Sequence, residues 1–229
     1  MELADQSPWA MQLVVRDDRP DRPTHLAVCE AAASAVVTLL ADPRSVDGPW
    51  TPRTQRWLSG RIRKVVRRGR GAKFAATDAL DGVQVERRGA CVRAFVPGPI
   101  DGLPLELAKL QVGGTEMPDV GEPAPDGPGV LTVALTPAQP MTTGKAAAQS
   151  GHASQLAFAQ LVAAALAGGA DAEKALLAWD GTGFAVRVLM PAHEDWHRLV
   201  ETAPVAVRDA GYTEVAPGTM TAIAWWPSP

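Results

Sequence analysis

The chain has 229 residues, 46% of them hydrophobic, with 22 basic and 25 acidic side chains and a net charge of −3 at pH 7. This content can build a sizeable globular core, but no apolar run is long enough to cross a bilayer, and the acidic start of the chain does not match a secretory signal. The two cysteines lack metal-ligand spacing and are too few for a disulfide scaffold, so we expect a cytoplasmic protein without a membrane segment.

The first half of the chain, residues 1–112, predicts one small α/β unit. Its hydrophobic periodicity gives the order strand–helix–helix–strand–helix–strand–strand. The predicted elements are a strand at 11–16, helices at 24–41 and 51–58, a strand at 62–66, a helical stretch at 72–80, and strands at 83–86 and 91–96.

A basic run stands out within this unit, because residues 53–73 hold nine Lys and Arg and no acid. Residues 1–114 carry 17 basic and 13 acidic side chains, whereas residues 115–229 carry 5 and 12. Without acids between them, these cations would repel one another on a plain solvated face, so phosphate binding is the more economical interpretation. The residues predicted to bind an RNA backbone are Arg61, Arg63, Lys64, Arg67, Arg68 and Arg70.

Residues 113–129 read GGTEMPDVGEPAPDGPG and are rich in glycine, proline and acid. They show no hydrophobic periodicity, which is typical of a linker. The chain therefore divides into units at 1–112 and 130–229.

The second unit predicts the same order of elements as the first. Thr142 or Thr143 is placed to cap its long alanine-rich helix. The predicted elements are strands at 130–135, 184–190, 205–208 and 220–226, with helices at 144–167, 171–179 and 191–201. We therefore expect an α/β protein with two similar units, each a four-stranded mixed sheet flanked by helices in three α/β/α layers, and an internal repeat.

Two segments of the second unit carry polar residues that packing alone does not require. In 141–154, Lys145, Gln149 and His152 share one helical face, and the lysine lies where the helix dipole disfavours a cation unless an anion or a developing negative charge is near. In 207–221, Asp209, Thr213 and Thr219 lie in turns between two strands. Taken singly, each of these residues also fits a solvated face or a local turn.

Together the two segments resemble the archaeal and eukaryotic-type peptidyl-tRNA hydrolases, the second of two unrelated classes of that enzyme. Order and spacing agree over about 130–227. The chain departs from the family at Tyr212, where Arg is usual, and at Glu214, where Gln is usual. The residues that carry the resemblance are Gly144-Lys145, Ala148-Gln149, His152-Ala153, Arg208 to Gly211, Thr213 and Ala216 to Thr219.

The resemblance implies hydrolysis of the ester between a peptide and the 3′ ribose of tRNA, without metal or cofactor. It implies tRNA as the partner, and it assigns Gln149 and Thr219 to substrate binding. Since the family forms homodimers, the two halves here are expected to form that pair within one chain; further self-association stays open. The residues implied to be catalytic are Lys145, His152, Asp209 and Thr213.

The first unit resembles a decayed copy of the second. Without the catalytic side chains, and with the loop that holds Thr213 and Thr219 deleted, we expect it to have no activity of its own. On the alignment of the two halves, Leu26, Glu30, Ala33 and Arg87 stand where the second unit has Lys145, Gln149, His152 and Asp209.

Two alternatives remain at this point. One is an RNA-binding protein that keeps the fold without catalysis. The other is a zinc hydrolase that uses His193 and His197, whose spacing fits a two-histidine zinc motif. Asp195 lies beside the glutamate of that motif and favours an exposed helix start over a buried metal helix.

Overall fold

The computed structural model describes residues 7–18, 20, 22–208 and 218–226. Within these ranges, no helix is both long and apolar enough to span a membrane. The described residues form two α/β units, unit 1 at the N-terminal side and unit 2 at the C-terminal side, joined by the segment 113–129.

Unit 1 is built on a mixed sheet with strand order β2-β1-β4-β3, and β5 pairs with the start of β1. Strand β1 runs parallel to β2 and antiparallel to β4. The elements are β1 Trp9–Arg16, α1 His25–Ala41, α2 Pro43–Val46, α3 Thr51–Leu58, β2 Arg63–Gly69, α4 Ala72–Ala75, a 3₁₀ turn Ala76–Ala79, β3 Gly82–Arg87, β4 Ala90–Phe95, β5 Gly98–Pro99 and α5 Leu105–Ala108.

Unit 2 repeats this topology, with strand order β7-β6-β9-β8. Here β6 runs parallel to β7 and antiparallel to β9. The elements are β6 Leu131–Leu135, α6 Thr143–Leu166, α7 Ala170–Gly181, β7 Val186–Leu189, α8 His193–Thr202, β8 Val205–Arg208 and β9 Met220–Trp225. The predicted fold class is therefore confirmed: two α/β units, each with a mixed sheet flanked by helices.

Helices α1 and α6 pack against each other between the two sheets. Of the 17 residues of α1, 15 are buried, as expected for a helix enclosed on all sides. A side chain at Gly151 would place its Cβ 3.0 Å from the Val36 side chain, so this glycine lets the helices approach closely. The hydroxyl of Ser154 donates to the carbonyl of Ala33 at 3.0 Å. One hydrophobic core thus extends through both units.

Each sheet carries a smaller apolar layer on its other face. In unit 1, Val14 and Cys91 of the sheet pack with Phe74 of α4 and Leu107 of α5. In unit 2, Ile223 packs with Trp196 of α8. Helices therefore cover both faces of both sheets, which is why the central strands β1, β4 and β6 are buried almost continuously instead of on alternate residues.

The segment 113–129 has no helix or strand, yet it is fixed to the start of α1 and α6. The backbone N–H groups of His25 and Leu26 donate to the carbonyls of Asp119 and Val120 at 2.8 and 3.0 Å. The N–H of Gly144 donates to the carbonyl of Thr115 at 3.1 Å. The segment therefore supplies acceptors for first-turn amides that have no partner within their own helices.

Candidate active site

The polar residues of unit 2 gather at one end of its sheet. Strand β6 ends at Leu135 and the chain then enters α6, while the N–H of Thr136 donates to the carbonyl of Thr221 at 3.0 Å. Arg208, at the end of β8, pairs with Met220, at the start of β9. The start of α6 and both ends of the 209–219 loop therefore lie at the same end, where ligands bind in open α/β sheets.

Lys145 is the third residue of α6 and is half-buried. Its backbone N–H donates to the hydroxyl of Thr142 at 3.3 Å, so Thr142 is the N-cap of the helix. His152 is also half-buried and lies seven residues further along α6, which is about 10 Å along the helix axis. The predicted helical face is present, and Lys145 occupies its end nearest the loop.

Gln149, between these two residues, is 7% exposed. Its side-chain oxygen accepts a hydrogen bond from the hydroxyl of Thr221 on β9 at 2.8 Å. This bond ties α6 to the sheet directly behind the candidate site. The substrate-binding role of Gln149 stays a prediction, and its visible role is to hold the helix in place.

The loop residues of the site are described only in part. Asp209, Thr213, Tyr212 and Glu214 lie outside the described residues. Thr219 is half-buried and follows a glycine with a φ of +81°. A guanidinium N–H of Arg208 donates to the carbonyl of that glycine at 3.4 Å, which brings the two ends of the loop together.

Comparison with known proteins gives one family match, to the C-terminal half of the chain. Residues 133–229 match the model of the peptidyl-tRNA hydrolase PTH2 family. The family resemblance of the C-terminal half is therefore confirmed, and the match spans every residue predicted to be catalytic. It does not reach unit 1, whose kinship with the family stays a prediction. No curated protein and no solved structure matches the chain.

Unit 1 uses the corresponding end of its sheet differently from unit 2. By strand register, Val85 and Val207 are equivalent, and Arg87 and Asp209 each follow two residues later in the sequence, which agrees with the alignment of the two halves. One terminal nitrogen of Arg87 donates to the carbonyls of Thr182 and Gly183 at 2.9 and 2.7 Å, at the C-terminal end of α7. A cation there suits the helix dipole. Arg87, which aligns with a predicted catalytic acid, thus forms a contact between the two units.

Glu30, aligned with Gln149, is also committed to structure. The carboxylate is 1% exposed and accepts from the backbone N–H groups of Ala124 and Val188 at 2.7 and 3.2 Å. Burial raises the pKa of Glu30, while these two hydrogen bonds and the nearby Arg88 and Arg187 oppose that shift. Glu30 therefore joins α1, the 113–129 segment and β7 of unit 2.

The basic run does not form one surface, because β2 separates its members. Arg61, Arg63 and Lys64 lie at the start of β2, whereas Arg68 and Arg70 lie at its end, about 20 Å away along an extended strand. Sequence proximity alone could not show this division.

Two members of the run are engaged inside the protein. Arg67 is 8% exposed and donates to the side-chain oxygen of Gln12 at 2.9 Å and to the carbonyl of Leu110 at 3.1 Å. Lys64 donates to Gln155 of α6 and lies over the ring of Trp57. Burial lowers the pKa of Lys64 to about 7, which reduces its charge at neutral pH. Both residues are poorly placed to contact phosphate.

The remaining cations at the end of β2 line a cleft of about 700 Å³. Asp17, which is 2% exposed, forms an ion pair with Arg70 at 3.5 Å and lies 3.8 Å from a guanidinium nitrogen of Arg68. The expectation that no acid compensates the positive charge of the run was therefore wrong. The acid was not foreseen because it is distant in sequence. Lys73 and Lys109 complete the basic wall. Sequence reasoning missed Lys109 and Asp17; the only signal was an acidic pair directly after β1.

The cleft and Lys145 lie at the same end of the molecule. The ring nitrogen Nδ1 of His25, the first residue of α1, lies 3.0 Å from the hydroxyl oxygen of Thr143, the first residue of α6. The starts of α1 and α6 are therefore in contact. Because α1 follows the carboxyl end of β1 and α6 follows that of β6, the carboxyl ends of these two strands lie at the same end of the molecule.

The two histidines of the zinc alternative are exposed on α8. Their neighbour Asp195 forms an ion pair with Arg198. Within the described ranges, no group of three His, Cys, Asp or Glu side chains is arranged to hold a metal ion.

Proposed function

We propose that unit 2 is a peptidyl-tRNA hydrolase, which cleaves the ester between a peptide and the 3′ ribose of tRNA in the cytoplasm. The observation that carries this proposal is the family match over residues 133–229, which includes all four predicted catalytic residues. The reaction adds water to the ester carbonyl and releases the peptide as a carboxylic acid and the tRNA with a free 3′ hydroxyl.

The roles follow from the chemistry of the side chains. Asp209 orients or deprotonates the attacking water, which is typically worth about 10²–10⁴ in rate. The ammonium group of Lys145 stabilises the oxyanion or the departing ribose oxygen. Thr213 donates a hydrogen bond to the intermediate or positions Asp209, and His152 acts as a proton carrier or a positioning group.

Unit 1 binds the RNA backbone on this proposal. Arg68, Arg70, Lys73 and Lys109 surround the cleft at the end of β2. Arg68 donates to the side-chain oxygen of Gln111 at 2.7 Å, and Arg70 donates to the carbonyl of Asp17 at 2.8 Å. The cleft faces the same end as Lys145, so one RNA molecule can contact both units. Phosphate neutralisation by such cations supplies sequence-independent affinity.

A second candidate is an RNA-binding protein without catalysis. The basic cleft favours it, because the cleft lies in the unit that lacks the chemistry. Unit 2 also has Tyr212 where the family usually has Arg, and Glu214 where it usually has Gln.

One assay separates these candidates: release of an N-blocked amino acid from tRNA, with and without a chelator. We expect release that survives chelation and is lost in Lys145→Ala and Asp209→Asn. The matched control is Lys174→Ala, which removes an exposed lysine on α7 that forms an ion pair with Asp171. Absence of release by the unmodified protein, with retained tRNA binding, would establish the binding protein instead. Release lost only with chelator would indicate a metal hydrolase.

A further inference from the structure

A buried hydrogen-bonded cluster joins the two units beside the candidate active site. His25 of α1 is 6% exposed and Thr143 of α6 is fully buried. Nδ1 of His25 lies 3.0 Å from the hydroxyl oxygen of Thr143, and the backbone N–H of Met117 donates to the same oxygen at 3.0 Å. Three parts of the chain therefore meet at one hydroxyl group.

The directions of these hydrogen bonds follow from the donors available. The amide of Met117 can only donate, so it occupies a lone pair of the Thr143 oxygen. The hydroxyl proton of Thr143 then needs an acceptor, and Nδ1 of His25 is the one within hydrogen-bond distance among the described residues. This arrangement requires a neutral His25 with its proton on Nε2, which is buried without a hydrogen-bond partner among the described residues. Burial lowers the pKa of His25, and the nearby Glu116 only partly opposes this.

This cluster fixes the first turn of α6. Thr143 is the first residue of the helix and lies two residues before Lys145. The next amide, that of Gly144, donates to the carbonyl of Thr115, and the amide of Lys145 donates to Thr142. The first turn is thus held at three consecutive residues, and the bond to Thr143 reaches across to unit 1.

We propose that His25 is a positioning residue for the active site of unit 2. By accepting a hydrogen bond from the Thr143 hydroxyl group, it fixes the first turn of α6 and with it Lys145. The kinetic consequence rests on the proposed hydrolase function, whereas the structural consequence does not. The proposal also gives unit 1 a role in catalysis beyond RNA binding, although unit 1 lacks the catalytic side chains.

The structural consequence is measured without any substrate. Nitrogen NMR of His25 should show Nδ1 unprotonated at neutral pH. Thr143→Val keeps the shape of the side chain but removes its hydroxyl, and should speed hydrogen exchange of the Gly144 to Ala146 amides by about 10-fold or more, because the hydrogen bonds with His25 and Met117 are both lost. Thr143→Ser should restore protection. A proton on Nδ1, or unchanged exchange in Thr143→Val, would overturn the proposal.

The kinetic consequence separates positioning from general stability. Thr143→Val and His25→Leu should lower kcat for ester hydrolysis by about 10-fold with little change in KM, because a small displacement of a catalytic group slows the reaction. Thr143→Ser and His25→Asn, which keep a hydroxyl and an acceptor respectively, should recover most of the rate.

Thr77→Val is the matched control, since Thr77 is a fully buried hydroxyl of unit 1 that donates to the carbonyl of Phe74 at 2.8 Å. Its kcat should stay unchanged. Faster exchange in Thr143→Val with a normal kcat would refute the positioning role while leaving the hydrolase function intact. An unmodified protein without activity would refute the proposed function, and the tautomer and exchange measurements would still decide whether His25 fixes α6.

Discussion

The two units share a sheet topology and face the same end of the molecule, but they differ in one connection. Unit 2 has eleven residues between β8 and β9, whereas unit 1 joins β3 to β4 with the two residues Arg88 and Gly89. Arg88 and Gly89 have positive φ angles of +48° and +82°, as a two-residue hairpin turn requires. On the proposed function, the unit with the longer connection carries the catalytic site, since function depends on the site and not on the fold.

Two positions of unit 1 that align with predicted site residues of unit 2 form contacts between the units. Arg87 binds the end of α7, and Glu30 binds the edge of β7 and the 113–129 segment. At these two positions, the residue of unit 1 contacts unit 2, whereas the aligned residue of unit 2 is a predicted site residue. Variants at matched positions of the two units therefore test this comparison directly.

The largest difference is expected at the Asp209 and Arg87 positions. Asp209→Asn should lower kcat by about 10²–10⁴, because it removes the proposed acid–base group. Arg87→Gln should leave kcat within about 2-fold and lower the free energy of unfolding by about 1 kcal/mol, since it loses charge-assisted bonds to the end of α7. Steady-state hydrolysis and urea unfolding measure the two effects. A large loss of kcat in Arg87→Gln would show that unit 1 takes part in the chemistry.

The second contrast is between Glu30 and Gln149. Glu30→Ala leaves the buried amides of Ala124 and Val188 without an acceptor, so the free energy of unfolding should fall by about 3 kcal/mol. Gln149→Ala breaks a neutral bond to Thr221 and should cost only about 1 kcal/mol. Chemical denaturation of both variants checks this order. Equal losses of the free energy of unfolding would mean that the two residues contribute equally to stability, which would contradict this order.

The third contrast lies within unit 1, between the two ends of β2. Arg68→Gln with Arg70→Gln should weaken tRNA binding by about 10-fold near physiological salt and reduce the log–log salt slope by about 2. Arg61→Gln with Arg63→Gln removes the same charge at the opposite end and should change affinity less than about 3-fold. Fluorescence titration over a range of salt gives both values. Equal losses would place RNA along the whole strand instead of at the cleft.

Much of the fold was readable from sequence, because local signals and packing agree. Helix α3 and strand β8 have the predicted bounds, and α1 begins one residue after the predicted start. Strand β7 is shorter than predicted, since Phe184 adopts a positive φ of +59° and cannot continue the strand. The short elements α2, α5 and β5 were missed because two to four residues carry no periodicity.

The site was less readable, because its geometry depends on contacts between distant segments. The Lys145 face of α6 followed from helical spacing, and the family from two motifs. The bond between His25 and Thr143 joins residues 118 apart. Arg68 and Arg70, at the end of β2, lie near Asp17, which directly follows β1. No local pattern predicts such pairs. They require the sheet order and the packing of α1 on α6.

The smallest predicted effect concerns pH and again separates the units. Because the folded-state pKa of His25 is lowered, the unfolded chain binds the proton first as the pH falls below about 6.5. The stability contributed by the neutral ring is therefore full above pH 6.5 and declines as the pH approaches the lowered value, at no more than about 1.4 kcal/mol per pH unit. His25→Asn cannot titrate and should remove this slope while keeping the bond to Thr143. Thermal unfolding of both proteins from pH 7 to pH 5 measures it. An identical slope in the two proteins would mean that His25 is protonated as readily in the folded chain as in the unfolded one, which contradicts an acceptor role for Nδ1.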